Sequence, residues 1–262
     1  MIKAVFFDID GTLVSFKTHR VPDSTIEAIR LLRENGIKVL IASGRHLSMM
    51  YNVKEIEFDG YVTINGAVTY MDGTIIDRHP LEHETVMRMT DYVDVHPIPV
   101  CYVLENSLQM NFLNNDTDVI FQLLDFPIPP MSNLRDIACN NDVYQMIAFF
   151  SKEDEPIITR DVIPGSKCQR WHPLFSDVVT DGISKVTGIQ AIEKCLNITP
   201  EEIAVFGDGG NDIDMLRYAG MSIAMGNATE EVRAAAKYTT TDVDHDGILL
   251  GVKKWILNRQ KD

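Results

Sequence analysis

The sequence predicts an α/β fold: a mostly parallel sheet between two helical layers, with an α+β unit inserted into it. Three observations carry this expectation. Short apolar runs alternate with amphipathic helical stretches near both ends of the chain, which is the pattern of βαβ construction. The chain up to Arg45 already reads strand, helix, strand. The middle breaks that pattern over a stretch far longer than the dozen or so residues a crossover needs.

Taken in order, residues 2–7 are almost continuously apolar, as suits a central strand buried on both faces. Pro22-Asp23-Ser24 opens a helix. Ser24 and Glu27 have capping-box spacing, and Ile26, Ile29 and Leu32 form an apolar stripe. Gly36 stands where a helix C-terminal glycine belongs, and residues 37–42 form the next strand, ending in Ser43-Gly44-Arg45. Residues 61–64 and 74–76 flank Gly73 and read as a hairpin. Late in the chain, residues 186–196 read as a helix and 203–206 as a strand running into Gly-Asp-Gly-Gly-Asn-Asp. Residues 212–218 are helical, 222–225 a strand, and Thr229 caps a helix through Ala236. Residues 238–240 form a last strand and 248–257 a closing helix.

The inserted stretch is expected at residues 81–177, leaving 1–80 and 178–262 as the discontinuous core. A helix is expected near 82–93, with strands at 100–104, 108–113, 143–149 and 168–171. Pro97, Pro99, Pro127, Pro129 and Pro130 interrupt it.

Composition bounds the function. Hydrophobic residues are 45% and charged residues 24%, the balance of a soluble globular protein. The formal net charge of -14 argues against nucleic acid or an anionic membrane as partner, so an anionic substrate needs a local positive site. The start of the chain meets a charged residue too early for a signal peptide, and no apolar run is long enough to cross a bilayer. Cys101, Cys139, Cys168 and Cys195 have neither zinc nor disulfide spacing. A cytoplasmic protein, monomeric by default, is expected.

Four segments fall at strand ends or at the start of a following helix: Asp8-Ile9-Asp10-Gly11-Thr12, Ser43-Gly44-Arg45, Lys185, and the run from Gly207 to Asp212. Ligands of open α/β sheets bind beyond those strand ends. Asp8 and Asp208 supply the hard oxygens that suit Mg²⁺, which would offset their mutual repulsion. Ser43 and Lys185 are suited to hold phosphate oxygens. An aspartate can attack phosphorus while a second serves as general acid and then base.

Together, DIDGT at residues 8–12, the serine of IASGR, Lys185 and GDGGND at 207–212 resemble the haloacid dehalogenase-like phosphatase superfamily. The long insertion, with Ile64-Asn65-Gly66-Ala67 before it and Ala224-Met225-Gly226-Asn227-Ala228 near the end, resembles its Cof-type branch, subfamily IIB. DIDGTLVSF, CQRWHP and FGDGGNDIDMLR are similar to bacterial hexose-phosphate phosphatases of that group. The resemblance implies a Rossmann-like three-layer core and an α/β cap that sets specificity. It implies Asp8 as nucleophile and metal ligand, and Asp10 as general acid/base with its carbonyl on the metal. Asp208 would be the third ligand, supported by Asp212. Ser43, Lys185, Asn211 and the backbone N–H groups of Ile9 and Gly44 would grip the phosphoryl group, and Thr12 would orient the loop. One departure is visible: the usual Lys-Gly is Lys185-Val186 here, with Gly188 later.

Some residues carry weaker signals. Arg45 and Asn65 are candidate substrate contacts from the core. Arg170 and Trp171 are candidates from the insertion, where a cation beside an aromatic suits a sugar ring. His79 and His83 have the spacing of a metal pair, but Pro80 between them argues against a helical zinc site. The leading expectation is a Mg²⁺-dependent phosphatase for a small phosphorylated metabolite, most readily a hexose or pentose phosphate, acting through an aspartyl-phosphate on Asp8. A phosphosugar mutase with the same nucleophile is the alternative. A dehalogenase, and a non-catalytic phosphosugar-binding regulator, rank below both.

Overall fold

A computed structural model describes residues 1–258, with the Trp171 side chain outside the described set. The elements run β1 (Ala4–Phe7), α1 (Asp23–Glu34), β2 (Lys38–Ala42), β3 (Gly60–Thr63), β4 (Val68–Met71) and β5 (Thr74–Arg78). Next come α2 (His83–Val95), β6 (Val100–Val103), β7 (Leu108–Met110), α3 (Asn115–Leu124), α4 (Leu134–Asn140) and β8 (Gln145–Ala148). They are followed by α5 (Glu155–Asp161), β9 (Ser166–His172), β10 (Phe175–Thr180), α6 (Lys185–Leu196) and β11 (Ile203–Gly207). The last are α7 (Ile213–Tyr218), β12 (Met221–Ala224), α8 (Glu230–Ala235), β13 (Tyr238–Thr239) and α9 (Gly247–Gly251).

The chain divides into two compact units: Met1–Asp77 with the chain from Ser184 onward, and Arg78–Ile183. The first holds a sheet ordered β13-β12-β11-β1-β2-β3-β4-β5. From β13 to β3 every neighbouring pair is parallel, and β4 returns antiparallel to β3. Alternate residues of each strand serve opposite cores. Val5, Phe7, Val39, Ile41 and Phe206 pack with Ala28, Ile29 and Leu32 of α1 and Ile248 of α9. Ala4, Phe6, Leu40, Ala42 and Val205 pack with Ile189 and Ile192 of α6, Met215 and Leu216 of α7, and Val232 of α8. This is the three-layer sandwich. It explains why residues 4–7 are all apolar: each face of β1 is covered, and burying a Phe contributes about 1.5–3 kcal/mol relative to exposing it.

The second unit is a sheet ordered β7-β6-β8-β10-β9, antiparallel at every pair. One core joins Met89 of α2, Leu134 of α4 and Ile158 of α5 to Tyr102, Met146 and Val178 of the sheet. Another joins Ile120 and Leu124 of α3 to Cys101, Phe149 and Phe175.

Several local expectations are corrected. α1 has no capping box: Pro22 is its extended N-cap, and among the described residues no side chain caps it and the Ser24 hydroxyl is buried without a partner. The helix has started one residue before Ser24, so that serine lies inside the first turn. The hairpin around Gly73 joins β5 to β4, a strand the pattern did not reveal, while residues 64–67 connect β3 to β4. β10 was also missed, and it carries the second unit through Thr180, past the expected joint at 177/178. The closing helix is regular only over α9 and continues as π-helical turns over Val252–Leu257. Among the described residues no helix is long and apolar enough to cross a membrane.

Candidate active site

β1 lies between β11 and β2, where the strand order reverses, which is where open α/β sheets bind ligands. Asp8 leaves the end of β1, its N–H still held by the Phe206 carbonyl at 3.0 Å. Ser43 leaves β2, its N–H on the Val62 carbonyl at 2.9 Å. Asp208 leaves β11, and Lys185 is the first residue of α6 behind its N-cap Ser184. The Lys185-Val186 departure is therefore accommodated by the first turn of a regular helix.

Lys185 organises the centre. Its side chain is fully buried, and Nζ donates to Asp8 Oδ1 and Asp212 Oδ1, each at 2.6 Å. Asp212 Oδ2 accepts the backbone N–H groups of Asp208, 2.9 Å, and Gly209, 2.8 Å. Both oxygens of Asp212 are thus engaged, and it anchors the lysine and the loop that carries Asp208. Asp8 Oδ2 has no hydrogen-bond partner among the described residues. Asp208 accepts the Thr12 hydroxyl on Oδ1 at 2.7 Å and the Asn227 amide on Oδ2 at 2.9 Å.

The electrostatics follow from this crowding. Burial pushes the Asp8 carboxyl up to about 7, helped by Asp212 and Asp10 and opposed by Lys185. Burial, with Asp8 and Asp212 nearby, raises Asp208 well above the carboxylate range. Burial works against the Lys185 ammonium, yet the Asp212 and Asp8 carboxylates together hold its pKa above the usual value. Three carboxylates and one ammonium leave the cluster short of positive charge. Asp8, Asp208 and Asp212 each offer an oxygen within 4.8 Å of the others. Hard oxygens in that number fit a divalent cation such as Mg²⁺ or Mn²⁺.

Gly11 shows how tightly the loop is fitted. Its φ of 79° is left-handed, and a Cβ there would collide with Asp208 Oδ2. Ile9 buries its side chain in the core, so its contribution to the loop is backbone. Asp10 is clamped: Arg45 Nε donates to Oδ2 at 2.8 Å and a terminal nitrogen to Oδ1 at 2.6 Å. The same guanidinium donates to the Met49 carbonyl at 2.8 Å and Asn52 Oδ1 at 2.9 Å. Arg45 is thus tied to Asp10 and to its own following turns.

The structure brings Asp8, Asp10, Thr12, Ser43, Gly44, Arg45, Asn65, Lys185, Asp208, Asn211 and Asp212 together at the strand ends of the first unit. Asn65 is fully buried there, accepting the Asn211 amide at 3.0 Å, so it faces the loops instead of solvent. Arg170 is bonded within its own unit. Nε donates to Glu155 at 2.8 Å, and its terminal nitrogens to the carbonyls of Pro173, Phe175 and Phe150 at 2.9–3.0 Å. Those bonds brace the second unit and occupy the guanidinium. The Trp171 side chain lies outside the described residues.

Asn227 was not singled out as a site residue. Its amide donates to the Gly11 carbonyl, 2.9 Å, and to Asp208, while its Oδ1 accepts the Val243 N–H at 3.2 Å. The signal was available: Gly226-Asn227 follows the end of β12, the strand beside β11.

Comparison with known proteins agrees with this geometry. The haloacid dehalogenase-like hydrolase family matches residues 5–251. A putative phosphatase of Bacillus subtilis, YkrA, is 29% identical over 255 residues, covering 96% of this chain and 97% of that protein. The solved structure of BT4131, described as a subclass IIB sugar phosphatase, superposes with a TM-score of 0.90 at 39% identity, covering 96% of this chain and 98% of that one. That of BT1666 from Bacteroides thetaiotaomicron, described among the phosphatases of the superfamily, gives 0.89 at 33%, with 97% and 94% covered. With its aspartates, lysine and serine at the strand ends of such a sheet, the chain belongs to the haloacid dehalogenase-like hydrolase family and is an enzyme of its phosphatase branch.

Proposed function

We propose that the protein is a Mg²⁺-dependent phosphatase acting on a small phosphorylated metabolite of the sugar-phosphate class, through an aspartyl-phosphate on Asp8. The observation that carries the reading is the state of Asp8. One of its oxygens is fixed by Lys185, the other has no protein partner among the described residues, and the carboxylate offers an oxygen within 4.8 Å of one from Asp208. The sugar-phosphate class rests on the likeness to BT4131.

Asp8, Asp208 and the Asp10 carbonyl would hold the cation, which supplies neutralising charge for the phosphate oxygens and the carboxylates. An Asp8 oxygen attacks phosphorus, the bond from phosphorus to the sugar oxygen breaks, and Asp10 delivers a proton to that oxygen. Both Asp10 oxygens accept bonds from Arg45, so carrying a proton requires one of these contacts to open. In the second step water attacks phosphorus, Asp10 takes its proton, and the bond to Asp8 breaks to release phosphate. Ser43, Lys185, Asn211 and the N–H groups of Ile9 and Gly44 hold the transferring group, Thr12 and Asp212 fix the loops, and the 78–183 unit provides the residues that select the substrate.

Asp8→Asn tests this. The variant is expected to lose turnover on p-nitrophenyl phosphate and on a panel of hexose and pentose phosphates at millimolar Mg²⁺. The wild type should retain acid-stable ³²P after rapid quench with a labelled sugar phosphate. Wild-type phosphate release by Asp8→Asn would refute the mechanism.

A further inference from the structure

After β3 the chain adopts three consecutive left-handed residues: Ile64 at φ 52°, Asn65 at φ 51° and Gly66 at φ 97°. For a β-branched residue such as Ile64 this conformation is a genuine outlier, and outliers of this kind cluster where a site must be held in one geometry. The neighbours of the kink explain what it could hold. The Ile64 N–H donates to the Arg45 carbonyl and the Asn65 N–H to the Ser43 carbonyl, each at 3.1 Å. Asn65 Oδ1 accepts from Asn211 Nδ2 at 3.0 Å. A Cβ on Gly66 would collide with the Ser184 carbonyl and lie 3.4 Å from the Lys185 N–H nitrogen, so the kink presses directly on the start of α6.

Three separate loops therefore meet at residues 64–66, and each carries a group assigned above to the phosphoryl grip: Ser43, Asn211 and Lys185. We infer that Asn65 is a positioning residue for the phosphate site, its side chain setting the Asn211 amide while the kinked backbone holds the Ser43 loop and the first turn of α6. The inference rests on the phosphatase reading and deepens it. Asn65 then acts without touching substrate, which its complete burial requires. The left-handed backbone also explains the residue type, since Asn tolerates that region better than most side chains and brings an amide to it.

The test uses Asn65→Gly, because glycine adopts φ 51° without strain and only the amide is lost. Asn65→Gly, Asn211→Ala and the double variant are compared in the full-length protein with Mg²⁺ present. The probe is inorganic phosphate, measured by calorimetric binding and as a competitive inhibitor. Each single variant is expected to weaken phosphate binding about tenfold, the worth of one well-made hydrogen bond, and the double variant to be no weaker than either. Binding by Asn65→Gly within twofold of wild type overturns the inference. So does a double variant in which the two losses multiply, because Asn65 would then not act through Asn211. Asn65→Ala, read beside it, adds the backbone penalty and is expected to melt earlier than Asn65→Gly; equal melting would remove the kink from the argument. Asp8→Asn in the same series separates the two readings: turnover surviving there sinks the phosphatase mechanism, whereas a dead Asp8→Asn with a normal Asn65→Gly sinks only this inference.

Discussion

Replacing Lys185 by Met keeps most of the side-chain stem and deletes one buried charge. Nζ lies 2.6 Å from Asp8 and from Asp212, with the lysine and Asp212 side chains fully buried and Asp8 nearly so. At an effective dielectric of about 20, each contact is worth roughly 6 kcal/mol before desolvation. Desolvation of the three groups, at several kcal/mol per ion, takes back most of that gain. What remains when one partner is removed is the penalty of stranded charge, about 3–5 kcal/mol. At about 2–4 °C per kcal/mol for a domain of 150–250 residues, the melting temperature should fall by roughly 6–20 °C. Asp8, whose carboxyl burial already pushes up to about 7, can relieve the penalty by taking a proton, so the loss must be larger at pH 8 than at pH 5. Calorimetric melts in EDTA at both values measure this, following the transition that added Mg²⁺ is expected to raise, since two compact units can melt separately. A drop under about 2 °C at pH 8 would refute the buried-charge argument. An equal drop at both pH values would assign the effect to packing.

Three further outcomes follow from the same geometry. Asn227→Ala removes the donor that holds Asp208 Oδ2 and the Gly11 carbonyl, and should weaken Mg²⁺ binding by about 10–100-fold, read by titration calorimetry or by Mn²⁺ resonance. Gly11→Ala puts a Cβ into Asp208 at a left-handed position, so Mg²⁺ should no longer raise the melting temperature, while a control at Gly36, where a Cβ meets nothing, affects stability alone. Metal-free protein should lose stability as pH rises from about 4 to about 7. Asp8 has a folded pKa raised above its unfolded 3.8, so its contribution is complete below that value and lost as the pH passes about 7. Urea midpoints in EDTA should show that slope, and Asp8→Asn should flatten it by a few kcal/mol across the range; an unchanged slope would exclude Asp8 as its source.

How much was legible can be argued residue by residue. Strand ends β1, β2 and β11 were readable because a continuous apolar run buried on both faces is a local signal, and the aspartates and serine that follow stand out against it. Asn227 follows a strand of the same kind, but nothing local says that its amide reaches back to Gly11. The elements α3, α4, α5 and β10 were missed or blurred because short segments hold too few periods for the pattern to speak. β4 was missed for the related reason that its partner is chosen by the left-handed turn at 64–66, a backbone state that only Asn65-Gly66 hinted at.

By itself the sequence determined the βαβ framework, the strand-end carboxylates and lysine, and the chemistry these residue types allow, all of which depend on neighbours in the chain. Only the tertiary structure decided how each group is used. Arg45 clamps Asp10 and Arg170 braces its own unit, because a guanidinium bonds whichever carboxylates and carbonyls folding brings within reach. Asp212 anchors Lys185 and the Asp208 loop, and Asp8 keeps one oxygen without a protein partner among the described residues. Those assignments depend on distances of 2.6–3.0 Å between residues as many as 177 positions apart, and no pattern along the chain encodes them.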